Sequence, residues 1–165
     1  MNINIYFKDK TKLDEDLRFF EKKQLLKKTD SNISLINAHI DKSKHNMAFF
    51  NKNSDDNEFN DWLIVTLYYA LYHSALALVT SKNYTSKNHK ATLLFLIKHY
   101  SITEKEAELI NDLSIKKEDA ELYTSLKKDR HSASYATKTL FTNEKINEYK
   151  IKVIEFIQKT EDILK

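Results

Sequence analysis

"WLIVTLYYALYHSALALVTS", Trp62–Ser81, carries no formal charge over twenty residues. That length could span a bilayer or could form the central helix of a helical bundle. The stretch holds three tyrosines, a histidine and several hydroxyls. The helices expected around it are amphipathic and need an apolar surface to pack on. A helix that is apolar nearly all round fits the buried centre of a bundle, so we read it as a core helix and not as a membrane span.

The rest of the fold follows outward from that helix, which should run over about 58–80. On its C-terminal side "SKNYTSKNHK" (81–90) reads as a loop, with Ser86 as the N-cap of a helix over 87–99. Thr103 has Glu106 three residues on, a capping-box start, opening a short helix to about Leu113. A further helix is expected over about 116–135. A last one is expected over 143–164, where Ile146, Tyr149, Val153, Ile157 and Leu164 make a stripe. On the N-terminal side "NKNSDDNEFN" (51–60) is a polar loop. A helix over about 31–50 has Ile33, Ile36, Ile40, Met47 and Phe50 as its apolar set, and "TDSN" (29–32) breaks the chain before it. Leu13, Leu17, Phe20 and Leu25 give a first helix over 11–28, and residues 1–8 alternate weakly, as a short extended arm would. Charged runs such as "EKKQLLKK" and "IKKEDAE" read as solvated helix surface. No repeat or linker divides the chain. The expectation is one domain over 1–165, an all-α up-and-down bundle of about six helices, with 1–30 either an arm or an extra helix.

Composition narrows the function. The chain has 165 residues, enough to bury a core without staples. Cysteine is absent, which excludes disulfides, thiol nucleophiles and Cys-based zinc sites and suits a reducing cytoplasm. Glycine and proline are also absent. Without glycine there is no phosphate-cradling loop and no dinucleotide fingerprint. Tight hairpins lose their best residues, which disfavours a multi-stranded sheet, and nothing prevents the chain from being nearly all helix. "MNINIYFKDKTK" has no basic start followed by an apolar run, so no signal peptide is expected and the protein is expected in the cytoplasm. A net charge of +3 and a pI near 8.8 permit a nucleic-acid partner without requiring one. Only Arg18 and Arg130 among 27 basic residues are arginines. Arg130 therefore raises the question of what a lysine could not do there, such as a planar bidentate contact with phosphate.

On a wheel of about 100° per residue, Ile64, Leu67, Leu71 and Leu78 share one face of the central helix. Thr66, Tyr69 and His73 share another, with Trp62 and Thr80 nearby. Tyr69 and His73 are four apart and so neighbours. They either line a cleft or are a satisfied core histidine and a tyrosine at a subunit contact. In "KKDRHSASYATK" (127–138), Arg130 lies at the edge of an apolar face made by Leu122, Leu126 and Ala133, while His131 points elsewhere with Tyr135 as its neighbour. An arginine there is costly to bury unpaired. It snorkels out, pairs with a carboxylate such as Asp129, or receives an anionic ligand.

Three segments together resemble HEPN domains. "LIVTLYYALYHSALALVTSKNYTSKNHKATLLFLIKHY" (63–100) supplies Tyr68, Tyr69, Ala70, Tyr72 and His73, then Lys87 and His89. "LYTSLKKDRHSASYAT" (122–137) supplies Arg130, Ala133 and Tyr135. The resemblance covers roughly 31–160 and is closest to a prokaryotic subgroup of toxin and nucleotidyltransferase-partner proteins. It implies an up-and-down bundle that dimerises and, in many members, a metal-independent endoribonuclease whose cleft forms between two copies. In that chemistry an arginine stabilises charge on the phosphorane and a histidine helps the ribose 2′-hydroxyl attack. Other members pair with a small nucleotidyltransferase that acts as antitoxin. The chain departs from the pattern where the motif histidine is expected: positions 135–137 are Tyr135, Ala136 and Thr137. An unperturbed phenol titrates near pH 10, leaving His131, His73 or His89 as replacements.

The catalytic candidates are thus Arg130, His131 and Tyr135, and the cleft candidates Tyr69, His73, Lys87 and His89. Three readings follow. The first is an RNA-directed toxin or defence effector acting as a homodimer. The second is a non-catalytic module that binds a nucleotide, an RNA or a partner nucleotidyltransferase. The third is a plain helical oligomerisation unit. The six histidines are scattered, with no helical ligand pair plus third ligand evident, so neither a metal nor a cofactor is expected.

Overall fold

The uncharged stretch forms α4 (Asn60–Ser81), the hub of the molecule. Its Ile64, Leu67, Leu71 and Leu78 are at most 1 % exposed, as the wheel predicts. By length and composition α4 could cross a bilayer, but 78 % of its most apolar window is buried by other helices. The computed structural model describes residues 2–54, 59–128 and 142–165, with side chains described outside 118–128. Among the described residues the other elements are α1 (Ile5–Lys8), α2 (Lys10–Lys22), β1 (Leu26–Lys28), α3 (Ile33–Asn53), β2 (Tyr84–Ser86), α5 (His89–His99), α6 (Glu104–Lys128) and α7 (Asn143–Leu164).

Side-chain contacts fix the helix directions. His39 meets His73, and the Ser43 hydroxyl donates to the Ala70 carbonyl at 2.7 Å, so α3 and α4 run antiparallel. Lys44 pairs with Glu161 at 2.6 Å and Lys150 stands over the Phe50 ring, so α3 and α7 are antiparallel too. Tyr149 donates to Asp112 and Lys159 binds Glu106, which sets α6 against α7. The result is an all-α up-and-down bundle of α3, α4, α6 and α7, with α5 and α2 packed on its flank. Hydrophobic burial is the dominant force holding such packing together.

The N-terminal residues join this core: Ile3, Tyr6, Leu13, Leu17, Phe20 and Leu26 belong to the same buried cluster as α4. Residues 5–8 form a helical turn and not an extended arm. Asp16 on α2 accepts from Tyr6, Lys12 and Lys90, tying α2 to the first turn of α5. The Lys12 contact, aided by Lys90 and Tyr6, holds the Asp16 carboxyl well below the usual carboxylate range.

Three expectations need correction. The first helix stops at Lys22, not Lys28, because Gln24 takes φ 57° and turns the chain into β1. Strand β1 pairs antiparallel with β2, Leu26 opposite Ser86. The strands are far apart in sequence, so they need no tight glycine hairpin, and the left-handed positions fall on Gln24, Asn83 and Ser101. Second, the pairing continues past β2 and holds Lys87 out of the helix, its N–H donated to the Leu25 carbonyl at 2.8 Å. Helix α5 therefore starts at His89 with Asn88 as N-cap, accepting from the Ala91 N–H at 3.0 Å, and not with Ser86. Third, the expected break between Leu113 and Lys116 does not occur. The capping box of Thr103 and Glu106 opens one helix that continues to Lys128. Ser114 and Ile115 contain no breaker, and Leu113 is fully buried. The last helix has the expected bounds, with Thr142 capping the Lys145 N–H.

Candidate functional site

Between its end residues, the residues of α4 left least covered are Trp62, Thr66, Tyr69, Tyr72, His73 and Leu76, recurring along one stripe. Trp62 is 50 % exposed and Tyr69 37 %, large values for aromatics on the central helix of a bundle. Thr80, expected near this stripe, is instead buried, its hydroxyl bonded to the Leu76 carbonyl. One more turn of helix carries it beneath the α4–β2 turn.

Four elements contribute to the stripe. From α4, Tyr68 and Tyr72 stack with ring centres 5.6 Å apart and planes within 11°, and Tyr69 meets Tyr68 edge-on at 5.1 Å. From the first turn of α5, His89 packs on Tyr72 at 4.6 Å and its imidazole hydrogen-bonds the buried Tyr68 hydroxyl. Asn88 fixes that position by capping the helix one residue earlier. From α6, the Lys117 ammonium stands 5.6 Å from the Tyr68 ring centre and 5.8 Å from that of Tyr69, within cation–π range. From α3, His39 brings its Nδ1 to 3.1 Å from His73 Nδ1, the rings tilted by 38°.

The arrangement is aromatic, imidazole-bearing and flanked by positive charge. Burial lowers the pKa of both His39 and His73, and for His73 the neighbouring His39 and Lys42 add to the effect. Burial raises the Tyr72 phenol. Both imidazoles are thus held neutral near pH 7. In the unfolded chain they titrate near 6.5, so between that value and the lower folded values the unfolded state binds more protons. Folding stability is then fully present above about pH 6.5 and is lost as pH falls through the folded range. Urea midpoints are expected to drop from pH 7.5 to pH 5.5, with a smaller drop in the His39→Gln/His73→Gln double variant. Equal drops in both proteins would contradict the assignment.

Tyr69 and His89 both meet the Tyr68 ring, while His73 lies one turn after Tyr69 on α4 and meets His39. Lys87 is exposed on the β2–α5 connection, and among the described residues its ammonium meets none of the stripe's side chains. Arg130, His131 and Tyr135 lie outside the described residues, as do the side chains of the Leu122, Leu126 and Ala133 face whose edge Arg130 was expected to occupy. The description of α6 ends at Lys128, two residues before Arg130.

Two contributors were not singled out from the sequence. His39 sits with Ser43 and Asn46 at three- and four-residue spacing inside the α3 seam that also holds Ile36, Ile40, Met47 and Phe50. Polar residues recurring in an apolar seam were the available signal. Lys117 belongs to "IKKEDAE", read as solvated surface, and nothing in a lysine-rich run marks which lysine turns onto a ring.

A larger cleft among the described residues lies elsewhere. About 820 Å³ opens between the N-terminal residues, α6 and α7, lined by Asn4, Lys105, Asp112, Lys145, Tyr149 and Lys152. Glu148 already pairs with both Lys145 and Lys152, and Asp112 accepts from Tyr149, whose phenol is pushed up by burial and then by that carboxylate. These four side chains and Glu148 are paired among themselves, and none of the described site candidates, Tyr69, His73, Lys87 and His89, lines it. The described residues contain no group of three or more metal-ligating side chains. No family model matches the chain, and no curated protein matches it significantly.

Proposed function

We propose that this chain is an RNA-directed HEPN-like domain that acts as a homodimer, binding single-stranded RNA along the α4 stripe and cleaving it without metal through Arg130. The supporting observation is that Tyr68, Tyr72 and His89, drawn from separate parts of the resemblance, form one aromatic cluster with Lys117 above it and the His39–His73 pair beside it. The exposed rings on the same stripe, Trp62 and Tyr69, can accept unstacked bases of any sequence, and flanking lysines offset phosphate charge. An arginine supplies what lysine does not, a planar two-point hold on the charge that develops on phosphorus. In the cell this reading makes the protein a cytoplasmic toxin or defence effector, with a nucleotidyltransferase antitoxin as its partner.

A second reading has its own support. The motif histidine is replaced by Tyr135, Ala136 and Thr137, which fits a non-catalytic module that binds a nucleotide, RNA or the nucleotidyltransferase itself. Both readings make Tyr69 a binding residue. Losing one base-stacking ring is worth about 1–3 kcal/mol, so Tyr69→Ala is expected to weaken binding of a fluorescent single-stranded RNA roughly 5- to 100-fold by anisotropy. Unchanged affinity would remove the stripe from RNA binding in either reading. Metal-free cleavage by the wild-type protein separates the two.

A further inference from the structure

A hydrogen bond between two nitrogens fixes the protons on both rings. The Nδ1 atoms of His39 and His73 are 3.1 Å apart. Two bare lone pairs would repel at that distance, so one Nδ1 carries a proton and the other accepts it. In a neutral pair the donor ring then has a bare Nε2, which is a base. The acceptor ring must carry its own proton on Nε2, which is an acid. The geometry therefore yields one base and one acid side by side, whichever ring is the donor. Among the described residues no carboxylate bonds to either ring. Among the described residues the charged group beside the pair is Lys42 on α3, and Tyr69 lies one turn before His73 on α4. Both rings are half-buried at the end of the aromatic stripe, with access to solvent.

We propose that His39 and His73 form a proton wire that acts as both base and acid in RNA transesterification, an inference that rests on the RNA-cleaving reading above. The bare Nε2 takes the proton of a ribose 2′-hydroxyl as the 2′-oxygen attacks phosphorus. That ring's Nδ1 proton crosses to the second ring, which releases its Nε2 proton to the departing 5′-oxygen. One P–O bond forms and one breaks, giving a 2′,3′-cyclic phosphate and a 5′-hydroxyl. The pair ends neutral with its tautomers exchanged, and no water, metal or outside acid is consumed. The wire starts from the neutral state that burial favours. It also supplies the proton transfers for which residues 135–137 offer no histidine.

The test uses the full chain, chelator, a labelled single-stranded RNA, and the variants His39→Gln, His73→Gln, the double variant and Arg130→Ala. General acid–base groups contribute about 10²–10⁴-fold. Each single glutamine variant is expected to lose at least about 100-fold in cleavage rate while keeping RNA affinity and melting temperature. The double variant should be no slower than either single, because the two rings act as one unit. The wild-type rate should fall as pH drops from the ordinary imidazole value of about 6.5 into the lower range to which burial moves both rings, and that limb should vanish in the residual activity of the variants. Wild-type cleavage abolished by Arg130→Ala but untouched by both histidine variants overturns the wire and leaves the RNA-cleaving reading intact. Variants that lose affinity in proportion to rate also overturn the wire, since the rings would then only shape the groove. No cleavage by wild type overturns the reading and the wire together. Should the glutamine variants fail to fold, imidazole ¹⁵N spectra of the wild type decide: one Nδ1–H ring and one Nε2–H ring are required, and two like tautomers contradict the proposal.

Discussion

Phe50→Ala is expected to lower the free energy of unfolding by about 4 kcal/mol, in the range found for phenylalanine deletions from cores. Phe50 has no exposed surface and belongs to the single buried cluster. It lies in the last turns of α3, with the Lys150 ammonium of α7 above its ring at 5.4 Å. Removing the phenyl group leaves a space bounded by long helices that cannot collapse into it, so the cost is the lost transfer free energy plus an unfilled cavity. For a domain of this size each kcal/mol is worth about 2–4 °C, so the melting temperature should fall by roughly 10 °C. The urea midpoint should shift with little change in slope. The effect reaches the site, because α3 also carries His39 and sets its meeting with His73. A loss below about 1 kcal/mol would mean that Phe50 sits in a poorly packed region, contrary to the cluster described.

Arg130→Ala is the change expected to matter most for activity. A single preorganised donor to a developing oxyanion is worth about 10²–10³-fold in rate, and a charged two-point donor belongs at the upper end of that range. Metal-free RNA cleavage should therefore fall at least about 100-fold, with stability and RNA affinity little changed. Arg130→Lys should recover only part of the loss, since an ammonium keeps the charge without the planar fork. Arg18→Ala is the matched control: Arg18 is the chain's other arginine, exposed on α2, and its loss should leave the rate unchanged. A full rate for Arg130→Ala, or an equal loss for Arg18→Ala, would assign the effect to overall charge.

What the sequence made legible follows from which signals are local. The central helix was readable because an uncharged run without glycine or proline has one favourable fate among amphipathic neighbours. The capping box at Thr103 and the stripe of α7 were readable because both depend on residues within one or two turns. The β1–β2 pair was not, because Leu26 and Ser86 meet only through tertiary folding and neither segment alone signals a strand. The end of the first helix was missed for the same reason: Gln24 takes a left-handed turn that glycine usually marks, and no glycine is there. On the α4 stripe, the partial exposure of Tyr69 and His73 was legible in their four-residue spacing, and His89 was marked only by the resemblance. His39 was not, because its meaning comes from a ring on another helix. Lys117 was one lysine among many until α6 packed beside α4.

The central claim is that the α4 stripe and Arg130 form an RNA-cleaving site. The most direct measurement is one gel with purified protein, excess chelator and a mixed single-stranded RNA, alongside Arg130→Ala at equal concentration. The account predicts fragments ending in 2′,3′-cyclic phosphate from the wild type and intact RNA from the variant. RNA left intact by both proteins, while both bind it, would contradict the claim and leave a binding module in its place.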